Sequence, residues 1–235
     1  MTDQVLGVWL PLVVAALVQA SFSLGVSMLT LLSGHLLSEE KSADRLNRLS
    51  AAYIFGAFLT ILSSVIGATY IFLHINFANN QKFWSVLAGV AVGVGLAVLL
   101  FYYRWGKSRE VGTRLWLPRA TAEYLYARTK ATHHSFEAFI LGVASVVAEL
   151  IFIFAPVLIA ANLIANLSGD AQVGAIFLYV LIVILPLLVL FFANMRRAKI
   201  SAFQKWRETN KKFLQIAAGL LLIILGFYLL IYKTM

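Results

Sequence analysis

The sequence predicts an all-α integral membrane protein with six transmembrane helices, arranged as an inverted 3+3 repeat with long, broken helices 1 and 4. Of the 235 residues, 61% are hydrophobic and 12% are charged, and the mean hydropathy is +0.88. Soluble domains carry about 25% charged residues, so most of this chain is expected in contact with lipid or buried protein. Six apolar segments and the alternation of basic loops between them complete the prediction.

The six apolar segments define the predicted spans. Because a bilayer core needs about 20 helical residues, the first and fourth segments are too long for one straight crossing. The segments leave no room for a separate soluble domain, so we expect a single transmembrane domain over residues 1–235. The predicted spans are 5–36, 51–75, 83–103, 135–167, 173–194 and 213–232. The predicted units are repeat one at 5–103, a cytoplasmic linker at 104–134 and repeat two at 135–232.

The basic residues predict the topology. Of 19 Lys and Arg, 17 lie in the loops after spans 1, 3 and 5, and only Lys82 and Lys233 lie on the other side. Basic loops stay in the cytoplasm, so both termini are expected on the outer face, in a prokaryotic plasma membrane. This distribution explains the net charge of +9 without a nucleic-acid partner, and it places the basic loops next to anionic lipid.

The sequence carries no motif of an enzyme, a cofactor site or a resident metal centre. It has no cysteine, which excludes disulfides and thiol chemistry. No Ser/His/Asp spacing, phosphate loop or metalloprotease motif is present, and no span has a central lysine for retinal. His133, His134 and Glu137 could supply metal ligands, but a solvated helix start explains them more simply. We therefore expect no enzyme activity, no cofactor and no metal.

An internal repeat relates the two halves. KFWSVLAGV (82–90) and KFLQIAAGL (212–220) match at Lys, Phe, Ala and Gly with an offset of 130 residues. The same offset places Gln19 over Glu149 and long span 1 over long span 4. Span 1 runs inward and span 4 outward, so the halves are inverted relative to each other. Such repeats place a binding site near the midplane, between discontinuous helices.

Glu149 is the deepest charge in the sequence and the centre of the candidate site. An ionisable group inside a span is costly and indicates function, so we interpret it as a proton or cation ligand. The alternative is a protonated carboxyl that holds helices together through Gln19, Ser145 or another hydroxyl. Pro156 removes one backbone donor and either frees a coordinating carbonyl or only kinks the helix. The predicted substrate- or proton-binding residues are Glu149, Gln19, Ser23, Ser145 and Pro156.

Small residues indicate where helices pack. Ser85, Gly89, Gly93 and Ala97 recur at four-residue spacing in span 3, which predicts a close-packing face. The glycines of spans 3 and 6 are also compatible with a homodimer. After Pro118, the sequence RATAEYLYARTKATHH predicts a short amphipathic helix on the cytoplasmic surface.

The arrangement of the whole chain resembles the six-span lysine-exporter-type (LysE) carrier superfamily, which includes the CcdA/DsbD-like thiol-reductant conductors. The likeness lies in the 3+3 repeat, the long first helix of each half, the outer termini and the basic central loop. The closing segment Trp206-Arg-Glu…Phe213-Leu-Gln-Ile-Ala-Ala-Gly219…Gly226 is also similar. The chain lacks the cysteines of the conductors, and Ala20-Ser-Phe-Ser-Leu-Gly25 stands where the exporters have a proline–glycine element.

The resemblance implies a secondary transporter. We predict an exporter of a small solute or cation that works by alternating access around a midplane site with Glu149. The alternative is a non-transporting membrane scaffold or assembly factor that keeps this fold and uses Glu149 for packing. The expected partners are the lipid bilayer and a small solute or ion.

Overall fold

The structure, a computed structural model, describes residues 2–22, 24–38, 43–74, 81–105, 124–125, 127–129, 131–195 and 200–234. Almost all of these residues are helical, and no strand occurs among them. The long helices, in chain order, are α1 (Thr2–Phe22), α2 (Leu24–Ser38), α3 (Ala43–His74), α4 (Gln81–Trp105), α5 (Ser135–Ala148), α6 (Leu150–Ala165), α7 (Gly169–Met195) and α8 (Ile200–Thr234).

Three helices, α3, α4 and α7, are each long and apolar enough to cross a membrane. The pairs α1–α2 and α5–α6 meet the same criterion when each bent pair is counted as one span, which gives up to five candidate spans in the described chain. Helix α8 contains a shorter apolar stretch, Ile216–Ile231. An all-α chain with several helices able to span a membrane is therefore confirmed.

The two overlong segments are each divided into two helices. Helices α1 and α2 meet at a bend of 41°, and α5 and α6 meet at 85°. The second break lies at Glu149, whereas Pro156 lies inside α6 and does not end it. A proline removes one bond of the helical ladder, and α6 tolerates that loss. At Glu149 the backbone N–H instead bonds the carbonyl of Val146, three residues back, at 3.1 Å, which closes α5.

Helices α3 and α5 touch backbone to backbone at two glycines. A Cβ added to Gly56 would lie 2.2 Å from the carbonyl oxygen of Phe139, and one added to Gly142 would lie 2.1 Å from that of Tyr53. Real Cβ atoms essentially never come so close, so this packing requires glycine on both helices. Small residues allow such close approach of helices in lipid.

Helices α4 and α8 pack closely through a different face of α4 from the one predicted. A Cβ on Gly95 would lie 2.8 Å from the carbonyl oxygen of Gly219. Gly89 and Gly93 are exposed, with nothing within 4 Å, so the predicted face is wrong. Hydropathy does not identify the packing face of α4, because this helix is apolar on all sides. The buried face, about 170° away around the helix, is formed by Trp84, Leu87, Ala88, Ala91, Gly95 and Val98.

Two hydrogen bonds between helix ends show which ends of the helices are neighbours. Arg45, near the start of α3, donates to the carbonyl of His133, just before α5, at 3.2 Å. These two helices therefore start at the same end. Near the end of α8, the Tyr228 hydroxyl donates to the carbonyl of Gly7 in α1 at 3.2 Å. The start of α1 and the end of α8 are therefore also neighbours.

A short helical stretch precedes α5. Residues 124–125, 127–129 and 131 are helical, with Leu125 and Thr129 buried and Tyr124 and Arg128 exposed. The Thr129 hydroxyl lies 3.4 Å from the sulfur of Met28 in α2. The predicted amphipathic pattern is therefore present in this part of the linker, and its buried side packs on the bundle.

Candidate functional site

The carboxylate of Glu149 joins the two broken segments. Its Oε1 accepts the backbone N–H of Gly25 at 3.1 Å. Glu149 lies at the break between α5 and α6, and Gly25 lies in the first turn of α2. Only 4% of Glu149 is exposed. An acid of the second half of the chain thus contacts the start of a helix of the first half, inside the bundle.

The start of α2 suits a carboxylate for two electrostatic reasons. The N–H groups of a first helical turn have no partner within their own helix, and the helix dipole places partial positive charge there. A carboxylate that accepts such an N–H makes a charge-assisted hydrogen bond. Because a buried charge is costly unless it is hydrogen bonded, this helix end is a suitable counterpart for Glu149.

Two tyrosines hold the helices that lead into the breaks. The Tyr53 hydroxyl of α3 donates to Ser145 Oγ at 2.8 Å, one turn before Glu149. The Tyr179 hydroxyl of α7 donates to Gln19 Oε1 near the end of α1. Both tyrosines, Gln19 and Ser145 are buried. Two predicted site residues are therefore engaged by tyrosines of neighbouring helices, and the bond of Gln19 joins Tyr179 rather than Glu149.

The two tyrosine contacts occupy matching positions in the sequence. Tyr53 and Tyr179 each lie ten residues after the start of their helix, and they are 126 positions apart. Gln19 and Ser145 are also 126 positions apart. The same number of residues separates the first residues of α3 and α7 (Ala43 and Gly169), and those of α2 and α6 (Leu24 and Leu150).

The offset of 130 residues predicted from the third spans differs from the 126 residues that separate these helix starts. An offset of 126 residues pairs Gln19 with Ser145, and Glu149 with Ser23. The stretch from the start of the second span to the matching lysine runs from Ala43 to Lys82 in one half, and it is four residues longer in the other. Insertions in a loop shift the third spans without moving the earlier ones.

The remaining predicted residues fall on the same two broken segments. Pro156 is buried in α6, two turns after the break. Ser23 lies outside the described residues. The residues at helical spacing around Glu149 lie inward: Phe152 is half-buried, and the other members are buried. Those members are Leu141, Gly142, Ser145, Glu149 and Pro156.

The histidines before α5 belong to a helix cap. Glu137 Oε2 accepts the backbone N–H of His133 at 2.7 Å and that of His134 at 3.1 Å. The ring Nδ1 of His133 lies 3.3 Å from Arg45 Nη2. The carboxylate satisfies N–H groups that a helix start leaves without partners. In the described part of the chain, no three His, Cys, Asp or Glu residues are grouped as metal ligands.

Sequence reasoning missed the tyrosines and the hydrogen-bonding role of Gly25. A signal existed for the tyrosines, since each is a polar-tipped residue within an apolar span, 126 residues from the other. Gly25 acts through its backbone N–H, which every residue except proline has, so no side-chain pattern could identify it.

Comparisons with known proteins add no relative. No family model matches this chain, and neither a curated protein nor a solved structure matches it significantly. The geometry of the site therefore rests on the residues of this chain alone.

Proposed function

We propose that this chain is a six-span inverted-repeat membrane protein that acts as a secondary transporter, exporting a small solute or cation. The observation that carries the proposal is the buried hydrogen bond between Glu149 and the N–H of Gly25. It joins a carboxylate at one helix break to the free helix end at the other. Transporters with inverted repeats bind substrates and coupling ions at such discontinuous helices, and the LysE-type carriers that the sequence resembles imply the same use.

The sixth span is assigned to α8. The hydrogen bond between Tyr228 and Gly7 places the end of α8 beside the start of α1. A chain whose ends lie on one side crosses the membrane an even number of times, so the five candidate spans require one more. Helix α8 has 35 residues and contains the apolar stretch Ile216–Ile231. With the basic loops in the cytoplasm, both ends lie on the outer face of what we propose is a prokaryotic plasma membrane.

The inverted repeat is supported by paired contacts. Helix α3 packs against α5, and α7 packs against α1, each through a tyrosine hydrogen bond at a matching position. Helices α4 and α8, the third spans, pack against each other. A two-fold relation between the halves carries the α3–α5 pair onto the α7–α1 pair and exchanges α4 with α8.

The proposed coupling depends on the charge state of Glu149. When ionised, the carboxylate binds the start of α2 through a charge-assisted hydrogen bond, which is about twice as strong as a neutral one. A proton or a bound cation removes that advantage and loosens the contact between the broken helices. Loosening lets one half move against the other, as alternating access requires. Gln19 and Ser145 precede the breaks, and with Ser23 and Pro156 they complete the proposed binding region.

Flux into proteoliposomes tests this proposal. The full chain is reconstituted with a pH-sensitive dye inside and challenged with amino acids, divalent cations and anions. We expect at least one solute to change the internal pH, and Glu149→Gln to abolish that change while the protein stays folded. Glu137→Gln is the matched control, since it makes the same replacement at the helix start and should retain flux. Unchanged pH-coupled flux in Glu149→Gln would show that Glu149 is not the coupling group.

The scaffold alternative is favoured by one observation, the nearly complete burial of Glu149 and Gln19, which are 4% and 2% exposed. On that alternative the Glu149 contact only fastens the two halves together. No solute of the panel would then move the internal pH, and Glu149→Gln would change only the unfolding free energy.

A further inference from the structure

A groove lies beside the start of α5, between the helical stretch of the linker and the outward face of α5. It holds about 540 Å³ of space, including the part that opens to the outside. The lining is polar at one end, where Arg128 and Thr132 lie, and apolar at the other, where Ile140 and Ala144 lie.

The polar end of the groove carries an exposed arginine. Arg128 lines the groove and is exposed, and its planar guanidinium is suited to a phosphate group. The Thr132 hydroxyl donates to the backbone carbonyl of Arg128 at 2.7 Å, which fixes the end of this stretch. Glu137, the acid in the lining, has a carboxylate oxygen bonded to the N–H groups of the α5 cap.

The other end of the groove is apolar and faces outward. Phe136 and Ile140 are 72% and 45% exposed, and Ala144 continues the row at the same four-residue spacing. Residues at this spacing share one face of a helix. From Phe136 to Ala144 the helix rises about 12 Å, so the row descends from the start of α5 toward the bilayer core.

On the proposed topology, the groove lies at the level of the headgroup region of one leaflet. Arg45 and His133, which contact each other beside the start of α5, lie at the end of the bundle that the proposed topology places in the cytoplasm. Anionic lipids concentrate in that leaflet and attract basic residues near the membrane surface. Tyr124 and Phe136, both exposed, are aromatic residues of the kind found at membrane interfaces.

We propose that this groove binds one anionic phospholipid, with its phosphate at Arg128 and an acyl chain along Phe136, Ile140 and Ala144. The proposal requires that the chain spans a membrane, but it does not require transport. Thr129 of the same helical stretch contacts Met28 in α2. An occupied groove therefore also supports the packing of that stretch on the broken helix.

Native mass spectrometry of the detergent-solubilised full chain tests the site. Lipid is titrated as phosphatidylglycerol or phosphatidylcholine. We expect phosphatidylglycerol to bind the wild type at least fivefold more tightly, and Arg128→Gln to weaken its binding about fivefold, the effect of one basic residue near an anionic membrane surface. Arg48→Gln is the matched control, because Arg48 is an exposed arginine of α3 outside the groove, and it should bind as the wild type does.

A second variant tests the apolar end without changing charge. Phe136→Ala should weaken the binding of phosphatidylglycerol, and it should fold because the side chain is largely exposed. Equal losses in Arg128→Gln and Arg48→Gln would overturn the site in favour of general surface attraction. Both lipids carry a phosphate and differ in net charge, so equal binding of the two would overturn the preference of the groove for an anionic phospholipid. If soluble glycerol 3-phosphate bound as tightly as the lipid, the role of the acyl chain would be wrong.

Discussion

Tyr53 and Tyr179 lie 126 residues apart at the same position of α3 and α7, and each fastens a helix that leads into a break. Their partners differ in what else they bind. The Ser145 hydroxyl that accepts from Tyr53 also donates to the carbonyl of Gly142 at 2.8 Å. Gln19 contributes an amide oxygen, which can only accept. The two contacts are alike in placement but unequal in what their loss leaves behind.

Tyr179→Phe is expected to destabilise the protein more than Tyr53→Phe. The first change leaves the buried amide oxygen of Gln19 without this donor, which costs about 1–3 kcal/mol. The second leaves Ser145 bonded to Gly142, so only the net value of one hydrogen bond is lost, about 0.5–1.5 kcal/mol. Denaturant titration in mixed micelles measures both unfolding free energies. Equal costs would contradict the difference between the partners.

Two variants at position 149 distinguish the contribution of the hydrogen-bond acceptor from the contribution of the negative charge. Glu149→Gln keeps an oxygen that can accept the N–H of Gly25 but removes the charge. Glu149→Ala removes both and leaves a buried N–H unsatisfied, at a cost of about 1–3 kcal/mol. We expect the unfolding free energy to fall in the order wild type, Gln, Ala. A Gln variant as unstable as the Ala variant would show that the amide does not make this bond.

Gly56→Ala is expected to destabilise the contact between α3 and α5. The added Cβ would meet the backbone of Phe139 at 2.2 Å, and overpacking of this kind costs about 1–3 kcal/mol. Gly67→Ala is the control in the same helix, because nothing lies within 4 Å of its added Cβ. There the higher helix propensity of alanine, worth up to about 1 kcal/mol, should leave stability unchanged or raised. Thermal unfolding in detergent compares the two.

Gly95→Ala and Gly93→Ala make the same comparison in α4. The Cβ at Gly95 would meet the backbone oxygen of Gly219 at 2.8 Å, a wider gap than at Gly56, while nothing lies within 4 Å at Gly93. We expect Gly95→Ala to lower the midpoint of thermal unfolding, by less than Gly56→Ala does. Gly93→Ala should not lower it. A loss at Gly93 would indicate a contact on the exposed face of α4, such as one in a homodimer.

The absence of native cysteine permits a direct test of topology. Ser168→Cys introduces a thiol at the exposed turn between α6 and α7, and Arg48→Cys introduces one at an exposed position near the start of α3. A membrane-impermeant maleimide should label the first on intact cells and the second only after permeabilisation. Labelling of both from outside, or of only Arg48→Cys, would contradict the proposed orientation.

Hydropathy predicts the apolar segments, the overlong pair and the burial of Glu149, because the cost of polar groups in lipid leaves few alternatives. It does not predict which face of an apolar helix meets its neighbour. The predicted packing face of span 3 was therefore wrong, and Gly95 was not identified. Pro156 was a reasonable candidate for the break, but the break lies at Glu149, where the side chain bonds a distant backbone N–H. A partner 124 residues away leaves no local pattern in the sequence.

The backbone contact between α3 and α5 has a mechanical consequence. At the matching positions of the α1–α7 pair, 126 residues away, Ile182 and Ala16 stand in place of Gly56 and Gly142. Sliding is resisted where backbones touch directly, since each displacement forces main-chain atoms together, whereas side chains can change rotamer and repack. We therefore expect sliding to be resisted more strongly between α3 and α5 than between α1 and α7.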